Sequence, residues 1–458
     1  MDVLDSCACS GGNLPRFVQP VLLALLAREP MHGYALMQKL EETGLFVPSP
    51  DMTGCYRMLR DMERSGVLET TTDKGDGPSR RKYAVSALGR RCLNRWTASL
   101  TSNRDHLDRV LALLAAVREE SGEGLLSPEE DRIFMENVRN KAMAGNIPRK
   151  EEIVRLLSYA PDSPQAVYLG YLARQTASAV AGNRAGVWAA VGVDCAPCSM
   201  NCAFCAFGES WGVIRETHEW SAERIVDTAR RYASEGASWI VLRTTEHYGA
   251  ARLRELAGAV SAVLPPDCVL VANTGQMNVE EIRRLGEVGV KVMYHALRLG
   301  EGRDTPFDPV GRCQALERIR EAGMVLAHLV EPLGPEHGNE EIAGVLLAAL
   351  QAGAQICGVM ARSNVPGTPF EGRNAVSDIR LAQVAAVVRL CGGVNTPYVC
   401  VHPPVSQAVE WGANVVVVES GAVPRDKKEA EGDWRGFSME DARRLLVRHG
   451  YAVGFCDA

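Results

Sequence analysis

From Val187 onward the chain alternates short runs of branched aliphatic residues with amphipathic stretches, at a period of about thirty residues, the length of one strand–helix–strand unit. No other feature restricts the fold as much. The strand candidates are Val187–Asp194, Trp239–Thr245, Cys268–Thr274, Val290–Leu297, Met324–Val330, Gln355–Arg362, Val394–Val401 and Asn414–Glu419. Each but the last is followed by an amphipathic stretch, as over Ala222–Glu235, Val279–Val288 and Arg312–Ala322. Eight such units in about 270 residues predict a closed (β/α)8 barrel, an α/β fold whose chemistry gathers at the C-terminal ends of the strands.

Just beyond the first predicted strand stands Cys198-Ser199-Met200-Asn201-Cys202-Ala203-Phe204-Cys205. Three cysteines supply three of the four ligands of a four-iron four-sulfur cluster, which leaves one iron open for chemistry. A zinc ion wants a fourth ligand; Cys195 can supply it, so both readings stand on spacing alone.

Composition sets the context. Of the 458 residues 46% are hydrophobic and 23% charged, ordinary for a globular protein, and the length predicts more than one domain. A net charge of -6 requires any basic surface to be local. The N-terminus lacks the basic and apolar segments of a signal peptide, and no run reaches the ~18 apolar residues of a membrane span, so a cytoplasmic protein without membrane contact is expected. In such a reducing compartment the 14 cysteines read as ligands and small core residues rather than disulfides. Residues 1–12 form a Ser/Gly-rich leader in which Cys7 and Cys9 are either metal ligands or part of a frayed tail.

Residues 13–117 have a different pattern. Phe17, Val21, Leu22, Leu25 and Leu26 predict one helical face, and Tyr34, Met37 and Leu40 a second. A third helix, from Thr53 to Ser65, carries Tyr56, Leu59 and Met62 on one side. Two strands flanking a turn-rich Asp73–Ser79 complete three helices and a two-stranded wing. The segments LLALLAREPMHGYALMQKLEE, CYRMLRDMERSGVLE and SRRKYAVSALGRR resemble the PadR-type winged helix. The resemblance implies a third helix for the DNA major groove, a wing for the backbone, and a homodimer joined through a helix from Ala87 to Leu114. Arg57 and Arg60 on the third helix and Arg81 and Lys82 on the wing are the DNA-binding candidates. Leu14–Leu100 holds 13 basic against 9 acidic residues, which leaves a protein-docking role equally open.

Residues 118–131 read as a linker, 132–185 as a helical preamble able to close one end of a barrel, and 186–458 as the barrel itself. With its cysteine triad after the first of eight strands, this part resembles the radical S-adenosylmethionine enzymes, within them the group of biotin synthase, methylornithine synthase and the related hydrogenase-cofactor maturase. The resemblance implies a 4Fe-4S cluster held by Cys198, Cys202 and Cys205, with S-adenosylmethionine chelating the fourth iron. The cluster would generate a 5′-deoxyadenosyl radical, fed by an electron donor such as flavodoxin or ferredoxin. By this resemblance Phe204, Glu246, Arg298, Glu301 and Arg312 are cofactor-contact candidates, with Glu246 for the methionine ammonium, Arg312 for its carboxylate and Glu301 for the ribose hydroxyls or the ammonium; ordinary barrel-rim ion pairing is the other reading of the charged ones. His328, Asn364, His402 and Glu419, at later strand ends, are substrate candidates as well as candidates for ordinary core residues.

Biotin synthase sacrifices sulfur from a second cluster. The corresponding positions fall near Val241, Ala272 and Ala327, none of them cysteine, so hydrogen abstraction followed by rearrangement or cleavage of a small molecule is expected rather than sulfur insertion. The other reading is a PadR-type regulator whose barrel senses S-adenosylmethionine or redox state.

Overall fold

The computed structural model describes residues 17–43, 51–73, 80–100, 129–421 and 437–454. Cys7, Cys9, the linker up to residue 128 and the second half of the expected dimerisation helix lie outside them. The chain divides into two compact units, Met1–Gly124 and Leu125–Ala458.

In the first unit, α1 (Val18–Arg28), β1 (Met31–His32), α2 (Gly33–Glu42), α3 (Met52–Arg64), β2 (Leu68–Asp73), β3 (Arg80–Val85) and α4 (87–100) follow one another. Asp51 caps α3, its carboxylate accepting from the backbone of Thr53 at 3.2 Å and Gly54 at 2.8 Å. The wing gains a third strand: Met31 pairs with Tyr83 and His32 with Lys82. Leu22, Leu23, Leu26, Leu36, Met37, Leu40, Leu59 and Met62 form the core. Tyr34, expected on the buried face of α2, is 66% exposed, because Leu36 takes the inward position instead.

The second unit opens with α5 (Glu129–Met143), α6 (Lys150–Ser158) and α7 (Pro164–Ala181). Glu129, Glu130 and Asp131 begin α5 inside the span read as linker, where three acids suit a helix N-terminus. Eight parallel barrel strands follow: β4 (Arg184–Gly192), β7 (Trp239–Arg243), β8 (Val269–Asn273), β9 (Val290–Tyr294), a fifth split into β10 (Val325–Ala327) and β11 (Val330–Leu333), β12 (Ile356–Ala361), β13 (Tyr398–His402) and β14 (Val415–Gly421). The barrel closes through β10 against β12 and β14 against β4. Such strands, apolar on both faces, suit a sheet buried under helices. Three expectations shift in detail. Val394, read as strand, lies in a 3-10 turn at Gly393–Asn395, and Pro397 delays the strand to Tyr398. The fifth strand breaks at His328–Leu329. The short pair β5 (Asp194–Cys195) and β6 (His218–Glu219) is an addition.

Between the strands lie α8 (Ala222–Ser234), α9 (Ala250–Ser261), α10 (Val279–Glu287), α11 (Pro309–Glu321), α12 (Asn339–Gln351), α13 (Asp378–Gly392) and α14 (Ser406–Glu410), with α15 (Met439–Arg448) and β15 (Ala452–Val453) last. The preamble packs chiefly on α13: Arg380 donates to Leu157 O at 2.9 Å and Gln383 to Tyr159 O at 2.7 Å. That outer layer explains why α13 is buried from Leu381 to Gly392 and carries no polar face. Inside the barrel, Trp188 lies 6.0 Å from Trp239 and Trp239 5.2 Å from Tyr398, ring to ring, filling the foot.

Candidate functional site

The pairing of β5 with β6 pinches off residues 196–217 as a closed excursion above the end of β4. Within it, Cys198 N–H donates to Phe207 O at 2.6 Å, and Cys205 N–H to Cys202 O at 2.9 Å. Asn201, at φ 44°, accepts from Ser210 N–H at 2.8 Å and crosses the loop. Two neighbours brace it: Ala203 N–H donates to Asp304 O at 2.9 Å, and Phe370 N–H to Ala203 O at 3.2 Å. The Phe204 and Phe370 rings stand 6.5 Å apart.

This loop roofs a cavity of about 190 Å³ at the C-terminal end of the barrel, whose wall includes Cys198, Cys202, Cys205, Phe204, Glu246 and Arg298. Cys195 does not line the cavity; it packs in a small apolar cluster with Ile214 and with Ala206 and Val365, which do. Among the described residues no three His, Cys, Asp or Glu side chains converge on a single-ion site. A four-iron cluster asks for something different, one cysteine per iron. Burial pushes the Cys202 thiol up to about 12, opposed by the Arg298 charge, and burial likewise raises Cys198. Any metal these thiols held would have to displace both protons.

A charged network runs back from the wall, which Tyr294, Arg298 and Glu331 also line. Glu331 accepts from Tyr294 O–H at 2.5 Å and from Arg298 Nε at 3.4 Å. Burial works against the Arg298 charge, but Glu331, Cys202 and Glu301 outweigh it and raise its pKa. Glu301 is not on the cavity wall: it accepts from Thr305 O–H at 2.6 Å and from Arg298 N–H at 2.9 Å. Arg312, 1% exposed, stacks over the Phe307 ring at 3.5 Å, with Phe307 between it and the cavity. Its Nη1 lies 3.1 Å from His295 Nε2 and 3.9 Å from Glu246, and its Nε 3.5 Å from Glu301. Those carboxylates are at ion-pair range, yet Nε and Nη2 make no hydrogen bond. Burial and then the Arg298 charge lower the Arg312 pKa, and burial with Arg312 holds His295 well below the usual histidine range. His295 is thus a neutral acceptor for Arg312.

Below lies a second space of about 30 Å³, large enough for one or two waters, sharing Arg243, Asn273, Tyr294 and Met360 with the first. His402 and Glu419 line it; Glu419 pairs with Arg243 at 2.7 Å and lies 3.5 Å from His402. The other two substrate candidates fall elsewhere. His328 is in the barrel wall at the break of the fifth strand, its Nε2 accepting from Leu297 N–H at 3.1 Å, and it lines neither cavity. Asn364 is exposed and ties its own loop, donating to Arg373 O at 2.6 Å. Arg243 and Tyr294 received no role from the sequence. Their signal was position alone, each being the last residue of a strand.

In the first unit, Arg57 and Arg60 are exposed on α3. Arg81 is drawn to Glu63 at 3.1 Å, which ties the wing to α3, and Lys82 is half-buried.

Residues 22–95 match the transcriptional regulator PadR-like family. No curated protein matches the chain. Among solved structures, the second unit has the fold of HydG, a maturase of the FeFe-hydrogenase: TM-score 0.58, 17% identity, 72% of this chain and 77% of that one covered. Methylornithine synthase (PylB) aligns with TM-score 0.57 and 17% identity over 69% of this chain and 96% of its own. HydG from Carboxydothermus hydrogenoformans gives TM-score 0.57 and 16% identity over 79% and 86%. A PadR-like winged helix thus precedes a closed parallel barrel of the fold that HydG and PylB share.

Proposed function

We propose that the chain is a radical S-adenosylmethionine enzyme acting on a small molecule, with the winged helix as an appendage that binds DNA or a protein partner. The observation that carries this reading is the meeting of Cys198, Cys202 and Cys205 with Glu246 and Arg298 on one cavity at the active end of the barrel. The donor set fits a 4Fe-4S cluster, and the orphaned Nε and Nη2 of buried Arg312 fit an anionic group still to be bound. When bound, cluster and S-adenosylmethionine supply a one-electron cleavage of the sulfonium carbon–sulfur bond and the hydrogen abstraction that follows it.

The chain's own residues orient and enclose. Glu246 accepts the methionine ammonium, Arg312 draws its carboxylate once Phe307 gives way, and Glu301 is held ready behind Arg298 for the ribose or ammonium. Phe204, Phe307 and Phe207 keep water from the reacting region. Arg243, Glu419 and His402 form the polar floor on which the substrate rests. Val241, Ala272 and Ala327 are buried apolar residues, and Cys400 alone of the later cysteines reaches the deeper space among the described residues, consistent with rearrangement or cleavage rather than sulfur insertion. A regulator that senses the cofactor is the second reading, favoured by the exposed Arg57 and Arg60 of α3.

The test is anaerobic. Purified without oxygen, reconstituted with iron and sulfide and reduced, the protein releases 5′-deoxyadenosine from S-adenosylmethionine, and Cys202→Ala does not. Absence of release from the wild type, together with salt-sensitive binding to palindromic DNA that charge reversal of Arg57 and Arg60 abolishes, selects the regulator.

A further inference from the structure

Part of the cavity wall is held by a residue outside it. Asp194, 3% exposed on β5, lies four positions before Cys198. Both its oxygens accept from one residue across the barrel rim: Oδ1 from Thr245 N–H at 2.8 Å and Oδ2 from Thr245 O–H at 2.5 Å. Among the described residues no cation stands within ion-pair distance of it. Burial raises its carboxyl above the usual range, the Thr245 contacts opposing. A buried carboxylate without a cation is costly to retain, and beyond its own backbone N–H the contacts this one makes among the described residues are with Thr245.

Thr245 precedes Glu246. On the other flank, Thr244 O–H donates to Thr274 Oγ1 at 2.9 Å, and Thr244 N–H to Asn273 O at 2.9 Å. Glu246 O also presses so close to Gly275 that a Cβ there would stand 1.9 Å from it. The backbone of Glu246 is therefore seated in a slot, with β8 closing one side and Asp194 the other. Its side chain has a looser hold, the 3.4 Å contact from Gln276 N–H and the 3.9 Å approach of Arg312 Nη1. Placement of the Glu246 carboxylate consequently depends on the slot.

We propose that Asp194 is a positioning residue: its carboxylate ties the root of the cysteine loop to the end of the second barrel strand and so sets Glu246 on the cavity wall. The proposal rests on the reading of Glu246 as the acceptor of the cofactor's ammonium. Geometry rather than charge is the working property, and Asn can reproduce it, its amide oxygen accepting from Thr245 N–H and its NH2 donating to the Thr245 hydroxyl.

The experiment uses the full reconstituted chain and the variants Asp194→Ala, Asp194→Asn and Thr245→Val. S-adenosylmethionine binding is measured by equilibrium dialysis, iron content is measured beside it, and hydrogen exchange is followed over residues 244–248. Asp194→Ala lowers affinity roughly tenfold or more, the scale of a lost buried hydrogen-bond partner, at unchanged iron content and with faster exchange in that segment. Thr245→Val gives a smaller loss, and Asp194→Asn restores both readouts. Wild-type affinity and exchange in Asp194→Ala overturn the proposal, as does an Asp194→Asn variant as impaired as the alanine. If the wild type binds no S-adenosylmethionine while exchange still rises in Asp194→Ala and recovers in Asp194→Asn, the strut stands and the cofactor reading falls.

Discussion

Arg389 and Arg312 are both buried almost completely in the barrel, one near its foot and one behind the cavity, and they are held in opposite ways. Arg389 on α13 is caged by oxygens without a carboxylate: its Nε donates to Gly412 O at 2.9 Å, Nη1 to Thr396 O and Pro397 O at 3.1 Å each, and Nη2 to Asn414 Oδ1 at 2.5 Å. Arg312 has two carboxylates within 4 Å, but Nε and Nη2 make no hydrogen bond. A saturated group is finished structure. One with buried donors to spare is fit for a ligand, and the difference separates the end of the barrel that holds the fold from the end proposed to bind the cofactor.

The largest effect follows at the foot. Arg389 joins the turn before β13, the entry to β14 and α13, so Arg389→Met removes four hydrogen bonds at once, although Pro397 O keeps Asn414 Nδ2 at 3.2 Å and Asn414 Oδ1 keeps Val399 N–H at 2.9 Å. Unfolding free energy should fall by about 3–4 kcal/mol in urea titration, the range of broken buried networks. A loss below about 1 kcal/mol would place Arg389 beside Arg312 and erase the contrast.

The active end keeps its positive charge on arginines only while its buried histidines stay neutral. Burial lowers the His328 pKa from 6.5 to about 4, and its Nε2 must remain unprotonated to accept from Leu297 N–H. Between those values the unfolded chain binds a proton that the folded chain refuses, so stability is full above pH 6.5 and is lost as pH falls toward 4. The loss is up to ~3 kcal/mol, read from urea midpoints across that window. His328→Gln, whose amide oxygen can still accept, should flatten the profile.

Where the sequence was informative and where it was silent follows from the same contrast. Periodicity marked all the barrel strands because burial on both faces demands apolar runs, and the cysteine spacing marked the loop because the three cysteines lie close in sequence. The cavity's charged partners are set by long-range pairing: Arg243 meets Glu419 from 176 residues away, and Thr245 meets Asp194 from 51. No local pattern carries such information. His328 and Asn364 looked like site residues because they lie at strand ends, yet a strand end has two faces, and theirs serve the wall and the loop. Tyr34 failed for a related reason: helical spacing identifies a stripe but leaves its edge unspecified.

Arg312→Met should show the reverse of Arg389→Met. Arg298 remains beside Glu301, so the stability loss stays at about 1–2 kcal/mol. S-adenosylmethionine affinity should fall roughly a hundredfold as the charge-assisted contact disappears, measured by dialysis of the reconstituted protein. Equal damage to stability and no damage to affinity would make Arg312 a second Arg389.

The smallest expected effect is the most discriminating. Arg389 and Arg312 share no hydrogen-bond or ion-pair partner, so the double variant Arg389→Met/Arg312→Met should lose stability as the sum of the single losses, within about 0.5 kcal/mol. Urea unfolding of the three variants beside the wild type closes that cycle. A coupling above about 1 kcal/mol would mean that strain at the foot reaches the cavity through the strands. Affinity for S-adenosylmethionine in Arg389→Met alone would then fall as well, and the two ends would have to be treated as one mechanical unit. Additive stability with unchanged affinity in Arg389→Met instead leaves the foot as scaffold and confines the ligand's demands to the rim.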